Sequence, residues 1–244
     1  MATVVATSAQ RSRVFYAGVA LLLLAIVGTG FGPSYVARIG GADTAALPWF
    51  VHVHAAVFVG WMLLLIVQAS LVSAGRTAVH RRLGALAAVL VPLMLVLGYW
   101  TAIHGAQHNH PFSTGKAVGV PFADGYAFLV VPLGDLALFA AMVAAALALR
   151  RQPGWHKRFM VLAAAGGFLW PAITRMPHVV GTLPLMLAVL ALPVVALLVH
   201  DFVERGRPHL ATVIGALAIG ASFPIRTAIG NSAWWHDLAV QLAG

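Results

Sequence analysis

The feature that most limits this chain is a succession of apolar runs, each long enough to cross a bilayer at about 20 residues apiece. They fall at about 13–32, 48–73, 83–104, 126–149, 157–177, 182–203 and 209–229. Gly, Pro and charge sit in the breaks: Phe31-Gly32-Pro33, Gly75-Arg76, Arg150 through Lys157, Met176-Pro177 and Arg205-Gly206-Arg207-Pro208. The expected fold is all-α, an integral membrane bundle of seven transmembrane helices forming one domain over 1–244. Only 9% of the residues are charged, against about a quarter in an ordinary soluble domain. No polar stretch is long enough for a soluble catalytic domain, so the function must lie in or at the bilayer.

Basic residues set the orientation. With the N-terminus inside, Arg11, Arg13, Arg76, Arg81, Arg82, Arg150, Arg151, Lys157, Arg158, Arg205 and Arg207 all fall on the inner side, leaving Arg38, Lys116, Arg175 and Arg226 elsewhere. The expected topology is N-terminus inside and C-terminus outside, in a bacterial inner (plasma) membrane. The first run follows a short basic segment as a signal peptide would. It is too long for one and lacks an A-x-A cleavage site, so it is read as a helix, with no separate targeting segment. After Gly230 the tryptophans Trp234 and Trp235 recur with Leu238 and Leu242 at helical spacing, which predicts a short interfacial helix over about 231–243.

Several functions are excluded and others are disfavoured. Without cysteine there is no disulfide framework, iron–sulfur cluster, thiolate nucleophile or Cys-based zinc site. The net charge of +9 is topological and not a nucleic-acid footprint. A retinal protein needs a lysine inside its last span, and the only lysines are Lys116 and Lys157. Ser70, Ser222 and Ser232 lack the elbow or base pattern of a hydrolase. No inverted repeat points to a secondary transporter, although Pro92, Pro132, Pro171, Pro193 and Pro224 are placed to kink spans.

Polar residues inside spans are costly and mark function by default. In the second span His54, Trp61 and Gln68 are spaced seven apart and share one stripe, expected to face inward, with His52 nearly opposite. Asp135 is the only acid read as lying well inside a span. At 1.5 Å per residue, Asp135, Arg175, Arg226 and His54 lie about 22–28 Å above the inner ends of their helices, in one outer layer. Asp135 can neutralise one of the two arginines. The other requires water, a lipid headgroup, a haem propionate or an anionic substrate, and a packing cluster and a binding site both satisfy the pattern.

Eleven histidines are present. His104, His108 and His110, with His178 and His236, give an imidazole-rich outer surface of a kind that suits copper, zinc or iron. Together with His54 the first three are candidate metal ligands, although a hydrated loop explains the tract as well. On the inner side His80-Arg81-Arg82-Leu83-Gly84 opens the third span and His156-Lys157-Arg158-Phe159-Met160 opens the fifth. Each puts a histidine and two cations at a helix N-terminus, where an anchor, a lipid phosphate or a haem propionate would be held. The candidate cofactor-binding set is His54, His80, His156, Arg175, Arg226, Asp135, Trp61 and Gln68. His104, His178 and His200 are further partners for bis-His ligation of haem b.

These residues carry a resemblance. From the second span to the tail the chain resembles a family of small bacterial multi-pass membrane proteins: His54 with Trp61 and Gln68, the two His-basic corners, Leu133-Gly134-Asp135, Arg175, and Phe223-Pro224-Ile225-Arg226 followed by tryptophan. It is distantly similar to membrane proteins of the DUF2306 type, with a comparable pair of corners, and more loosely to b-type membrane cytochromes. The first two likenesses imply an architecture and no chemistry; the third implies haem between helices. The leading expectation is a protein that binds haem b or a His-ligated transition metal (copper, iron or zinc). It would transfer electrons or act on a small lipophilic substrate such as a quinone. Asp135 would then orient a histidine or relay a proton. The alternative is a non-enzymatic carrier or accessory subunit of a membrane complex, or an oligomer, with an outer anion or packing site. Membrane lipids are partners in either case.

Overall fold

The computed structural model describes residues 8–40, 47–109, 122–176 and 181–244. Among them lie ten helices and no strand: α1 (Ser8–Ile39), α2 (Trp49–Ser73), α3 (Thr77–Gly84), α4 (Ala87–Gln107), α5 (Gly125–Phe128), α6 (Val130–Ala148), α7 (Pro153–Ile173), α8 (Leu183–Arg205), α9 (Leu210–Gly230) and α10 (Ala233–Ala243). Six segments are helical, long and apolar enough to cross a membrane: Val14–Ala37, Trp49–Ser73, Ala87–Gln107, Gly125–Ala148, Leu183–Arg205 and Leu210–Gly230.

The fifth predicted run is not among the six, and its surroundings explain why. Helix α7 is the hub of the bundle, packed against α6, α1, α8 and α9 and buried over most of its length. A helix enclosed by protein has little need of lipid-facing side chains, and small residues let its neighbours approach closely. Its stretch Ala163-Ala164-Ala165 is fully buried. A Cβ on Gly167 would meet the Phe139 Cβ at 2.9 Å, and one on Gly166 would meet the Leu138 side chain at 2.8 Å.

Two predicted boundaries shift. Helix α1 runs through Pro33 and does not stop at Phe31-Gly32-Pro33; a proline within a membrane-embedded helix costs little where neighbouring groups satisfy the freed carbonyl. His80-Arg81-Arg82 does not open the third span but forms the separate helix α3. The chain turns through Ala85 and Leu86, whose amides bond back to Arg82 and Leu83, at the point where charged sequence gives way to apolar sequence. Gly75, between α2 and α3, has φ of +74°, a conformation that favours glycine.

The tail forms its predicted helix, α10, which lies against α4 and α5. The Trp235 indole donates to the Tyr126 carbonyl at 3.1 Å, Gln107 donates to the Ala243 carbonyl, and His236 pairs with Asp124 at 2.9 Å. Asp124 also caps α5, accepting from the Ala127 amide at 2.8 Å. Burial opposes charge on Asp124, but the Ala127 amide, His236 and the Tyr126 amide together hold its carboxyl below the usual range.

Candidate functional site

The two His-basic corners, 76 residues apart in sequence, face each other at one end of the bundle. Helix α3 folds back from α2, and α7 starts at Pro153, which places His156 in its first turn. The ring centres of His80 and His156 are 6.3 Å apart with their planes at 88°. His156 Nδ1 lies 2.8 Å from the Ala146 carbonyl, so Nδ1 carries the proton of that bond. The His80 ring lies near the Gln68 main chain, and its Nδ1 is buried with no hydrogen-bond partner. Burial pushes the His80 imidazole below its ordinary range; the Gln68 carbonyl opposes this, while His156 and Arg81 add to it.

The α2 stripe faces inward, as its spacing predicts. Trp61 is fully buried and meets Phe139 edge-on at 5.2 Å. His54 stacks on Phe58 at 4.0 Å. His54 Nδ1, Trp61 Nε1 and Gln68 Oε1 are all buried without a hydrogen-bond partner. His52, on the other face, accepts or donates to the Tyr35 hydroxyl at 2.6 Å. His54 therefore lies at the other end of the stripe from Gln68, about 21 Å along the helix at 1.5 Å per residue, and is not a partner of His80 or His156.

Asp135 pairs with Arg226: Arg226 Nη1 donates to Asp135 Oδ1 and, at 3.2 Å, to the Val131 carbonyl. Gly134 makes this possible, since a Cβ there would overlap the guanidinium, with Cζ at 2.8 Å. Arg175 donates to the Pro171 carbonyl at 2.6 Å and lies over the Phe31 ring at 4.5 Å, close enough to His54 for the two to interact electrostatically. The four residues thus form an Asp135–Arg226 pair and an Arg175–His54 neighbourhood.

Of the candidate metal set His54, His104, His108 and His110, the first three are described. His104 and His108 stack at 4.0 Å and His108 Nδ1 bonds to the His104 carbonyl at 2.8 Å. His104 packs against Phe50 and His54 against Phe58. No group of three or more His, Cys, Asp or Glu that could hold a metal occurs among the described residues. His110, Lys116 and His178 lie outside them.

A buried centre that sequence reasoning missed joins α1, α7, α8 and α9. Asp201 Oδ1 accepts from Arg158 Nε at 2.9 Å and from Nη2, and Oδ2 accepts from the His209 amide at 2.9 Å and the Thr212 hydroxyl at 2.6 Å. Beside it Lys157 donates to Ser12 Oγ at 2.9 Å, Ser12 meets His200 Nε2 at 3.2 Å, and His200 lies 3.3 Å from Glu204. Every group of the Arg158–Asp201 pair is satisfied within the protein, which marks it as architecture. The only sequence signal was a basic pair at one helix start and an Asp–Glu pair at another helix end.

No family model, curated protein or solved structure matches the chain.

Proposed function

We propose that this is a seven-span inner-membrane protein, α7 being the enclosed seventh span, with a redox centre held by His80 and His156 at the cytoplasmic end. One observation carries this reading. His156 commits Nδ1 to the Ala146 main-chain carbonyl of an adjacent helix, as metal-ligating histidines do to fix tautomer and orientation, and His80 beside it has a buried Nδ1 with no hydrogen-bond partner.

The spacing fits a ligand pair. The ring centres lie 6.3 Å apart, a separation that two imidazoles sharing one metal at about 2 Å per metal–nitrogen bond would span. Two imidazoles with no third His, Cys, Asp or Glu grouped with them among the described residues would suit haem b better than an ion that requires four protein ligands. Haem b in that position would supply one-electron transfer. The protein's part would be to fix the His156 ring through Ala146 and to offer the exposed Arg81 and Arg82 to its propionates. A lipophilic carrier such as a quinone is the natural exchange partner for a centre enclosed in a membrane protein.

A second reading, a carrier or accessory subunit, draws support from the outer Asp135–Arg226 pair, which requires no cofactor. An absorption spectrum of protein purified from haem-replete cells, oxidised and then dithionite-reduced, separates the two. A Soret band that shifts on reduction, and that His80→Ala and His156→Ala each abolish, is expected. A flat spectrum with no metal by elemental analysis overturns the redox reading and leaves the carrier.

A further inference from the structure

The C-terminal turn of α4 carries two histidines that the redox reading does not use. His104 lies in the last turn of the helix and His108 is its C-cap; residues four apart on a helix stand one above the other on the same face. Their ring centres are 4.0 Å apart, with the planes tilted by 35°. His108 folds back on the turn, its amide at 3.2 Å and its Nδ1 at 2.8 Å both reaching the His104 carbonyl. A carbonyl only accepts, so Nδ1 donates, and in the neutral imidazole Nε2 is then the acceptor.

The turn is fixed by three other helices. Gln107 donates to the Ala243 carbonyl of α10 at 2.6 Å, and Asn109 Oδ1 accepts from the Gly125 amide of α5 at 3.0 Å. The His104 ring meets Phe50 of α2 at 5.3 Å, and Phe50, only 6% exposed, stacks on Trp100 at 4.6 Å. The two imidazoles are therefore held side by side before any ligand arrives. His108 is exposed, so an ion reaches the pair from solvent.

We infer that His104 and His108 chelate one copper(II) ion at this end of α4.

Donor chemistry selects the ion. Two histidines at this spacing on one helix face are the bidentate element of helical metal sites, and neutral imidazole suits copper, nickel and zinc. No third His, Cys, Asp or Glu groups with the pair among the described residues, whereas a closed zinc site takes four protein ligands. Copper(II) accepts two neighbouring nitrogens in a tetragonal set and leaves the other positions to water, and it binds such donors more tightly than the other divalent ions of its row. The place favours a cation as well, because the last turn of a helix presents carbonyls without amide partners at the negative end of the dipole. With coordination positions open to water, the site takes up and releases its ion and does not hold the fold together. Phe50 and Gln68 are 18 residues apart on α2, about 27 Å along the axis, so the site lies at the far end of that helix from His80.

The full-length protein in maltoside micelles is dialysed to equilibrium against copper(II) buffered with glycine, and bound metal is counted by elemental analysis. Electron paramagnetic resonance of the same samples reads the nitrogens on the ion. The comparison proteins are His104→Gln and His108→Asn, which retain a helix former and a residue suited to a helix end, together with His52→Ala, His80→Ala and His156→Ala. Wild type is expected to bind one equivalent with at least two imidazole nitrogens. His104→Gln and His108→Asn should each bind about a hundredfold more weakly, because the second bond of a chelate forms at high effective concentration. Circular dichroism and gel filtration should be unchanged. The other three variants should bind like wild type, which separates this site from the haem reading, since that reading fails or stands on His80 and His156 alone. Wild-type affinity in His104→Gln or His108→Asn overturns the proposal and assigns the copper to other histidines, and a signal from a single nitrogen overturns the chelate. Displacement of the copper by an equal concentration of zinc overturns the choice of ion.

Discussion

Arg158 of α7 and Asp201 of α8 hold each other in the interior of the bundle, with side chains 2% and 0% exposed. Their bonds extend to the Gly154 carbonyl, to the His209 amide and to the Thr212 hydroxyl, so one ion pair ties the start of the hub helix to α8 and to the start of α9. A charge pair at such depth is held by geometry, because the cost of removing both ions from water is offset only when every remaining lone pair and proton is bonded.

Removing one partner should therefore cost far more than removing both. Asp201→Asn and Arg158→Met are each expected to lower stability by about 3–5 kcal/mol, because each leaves an uncompensated buried group. The double variant should lose clearly less than the sum. Denaturant titration in mixed micelles reads all three; strict additivity would show that the two side chains do not act as a pair.

His209 makes the same region sensitive to acid. Burial, followed by Arg158 and Arg205, pushes its imidazole below the ordinary value, and its Nδ1 accepts the Ala211 amide at 3.0 Å as the cap of α9. A folded-state pKa below the unfolded value means that the unfolded chain takes up the proton first. Stability should be flat above about pH 6.5, the ordinary histidine value, and fall as the pH drops below it. Asn at 209 retains an acceptor for the cap and should flatten that fall. Thermal melts at half-unit pH steps would show it, and an identical slope in His209→Asn would assign the acid sensitivity to another group.

Much of the architecture was legible in the sequence, because spanning a bilayer imposes a length that apolar runs report directly. The inward stripe of His54, Trp61 and Gln68 followed from helical period, and the pairing of Asp135 with one of Arg175 and Arg226 followed from position along the helices and charge. Asp201 was not legible: it sits four residues from Arg205 at the end of an apolar run, where an acid reads as a boundary residue. Its partner Arg158 reads as a positive-inside anchor. The enclosure of α7 was hidden for the opposite reason, since its alanines and glycines signal close packing only once the neighbours are known.

The docking of the tail depends on Asp124, which at once caps α5 and receives His236. Because its carboxyl is held below the usual range, its contribution is complete above the unfolded value of about 3.9 and is lost as the pH falls through the lower folded one. Asp124→Ala should release α10 at neutral pH. Amide exchange of residues 233–243 should accelerate in that variant and leave α7 unaffected, and equal protection in wild type and variant would mean that Trp235 and Gln107 suffice.

Gly30 and Gly28, two residues apart on α1, should differ sharply in what they tolerate. A Cβ on Gly30 would overlap the Ala172 carbonyl of α7, with Ala172 Cα at 2.9 Å, whereas one on Gly28 would meet nothing within 4 Å. The obstacle at Gly30 is main chain and cannot turn aside, so relief requires α1 and α7 to separate, at a cost of about 1–3 kcal/mol. Separation would also loosen the neighbouring face on which Phe31 meets Arg175. Gly30→Ala is thus expected to destabilise the fold while Gly28→Ala raises stability slightly through better helix propensity. Thermal denaturation of the two variants side by side is the check: a tolerated Gly30→Ala would mean that the α1–α7 contact is looser than the backbone overlap requires.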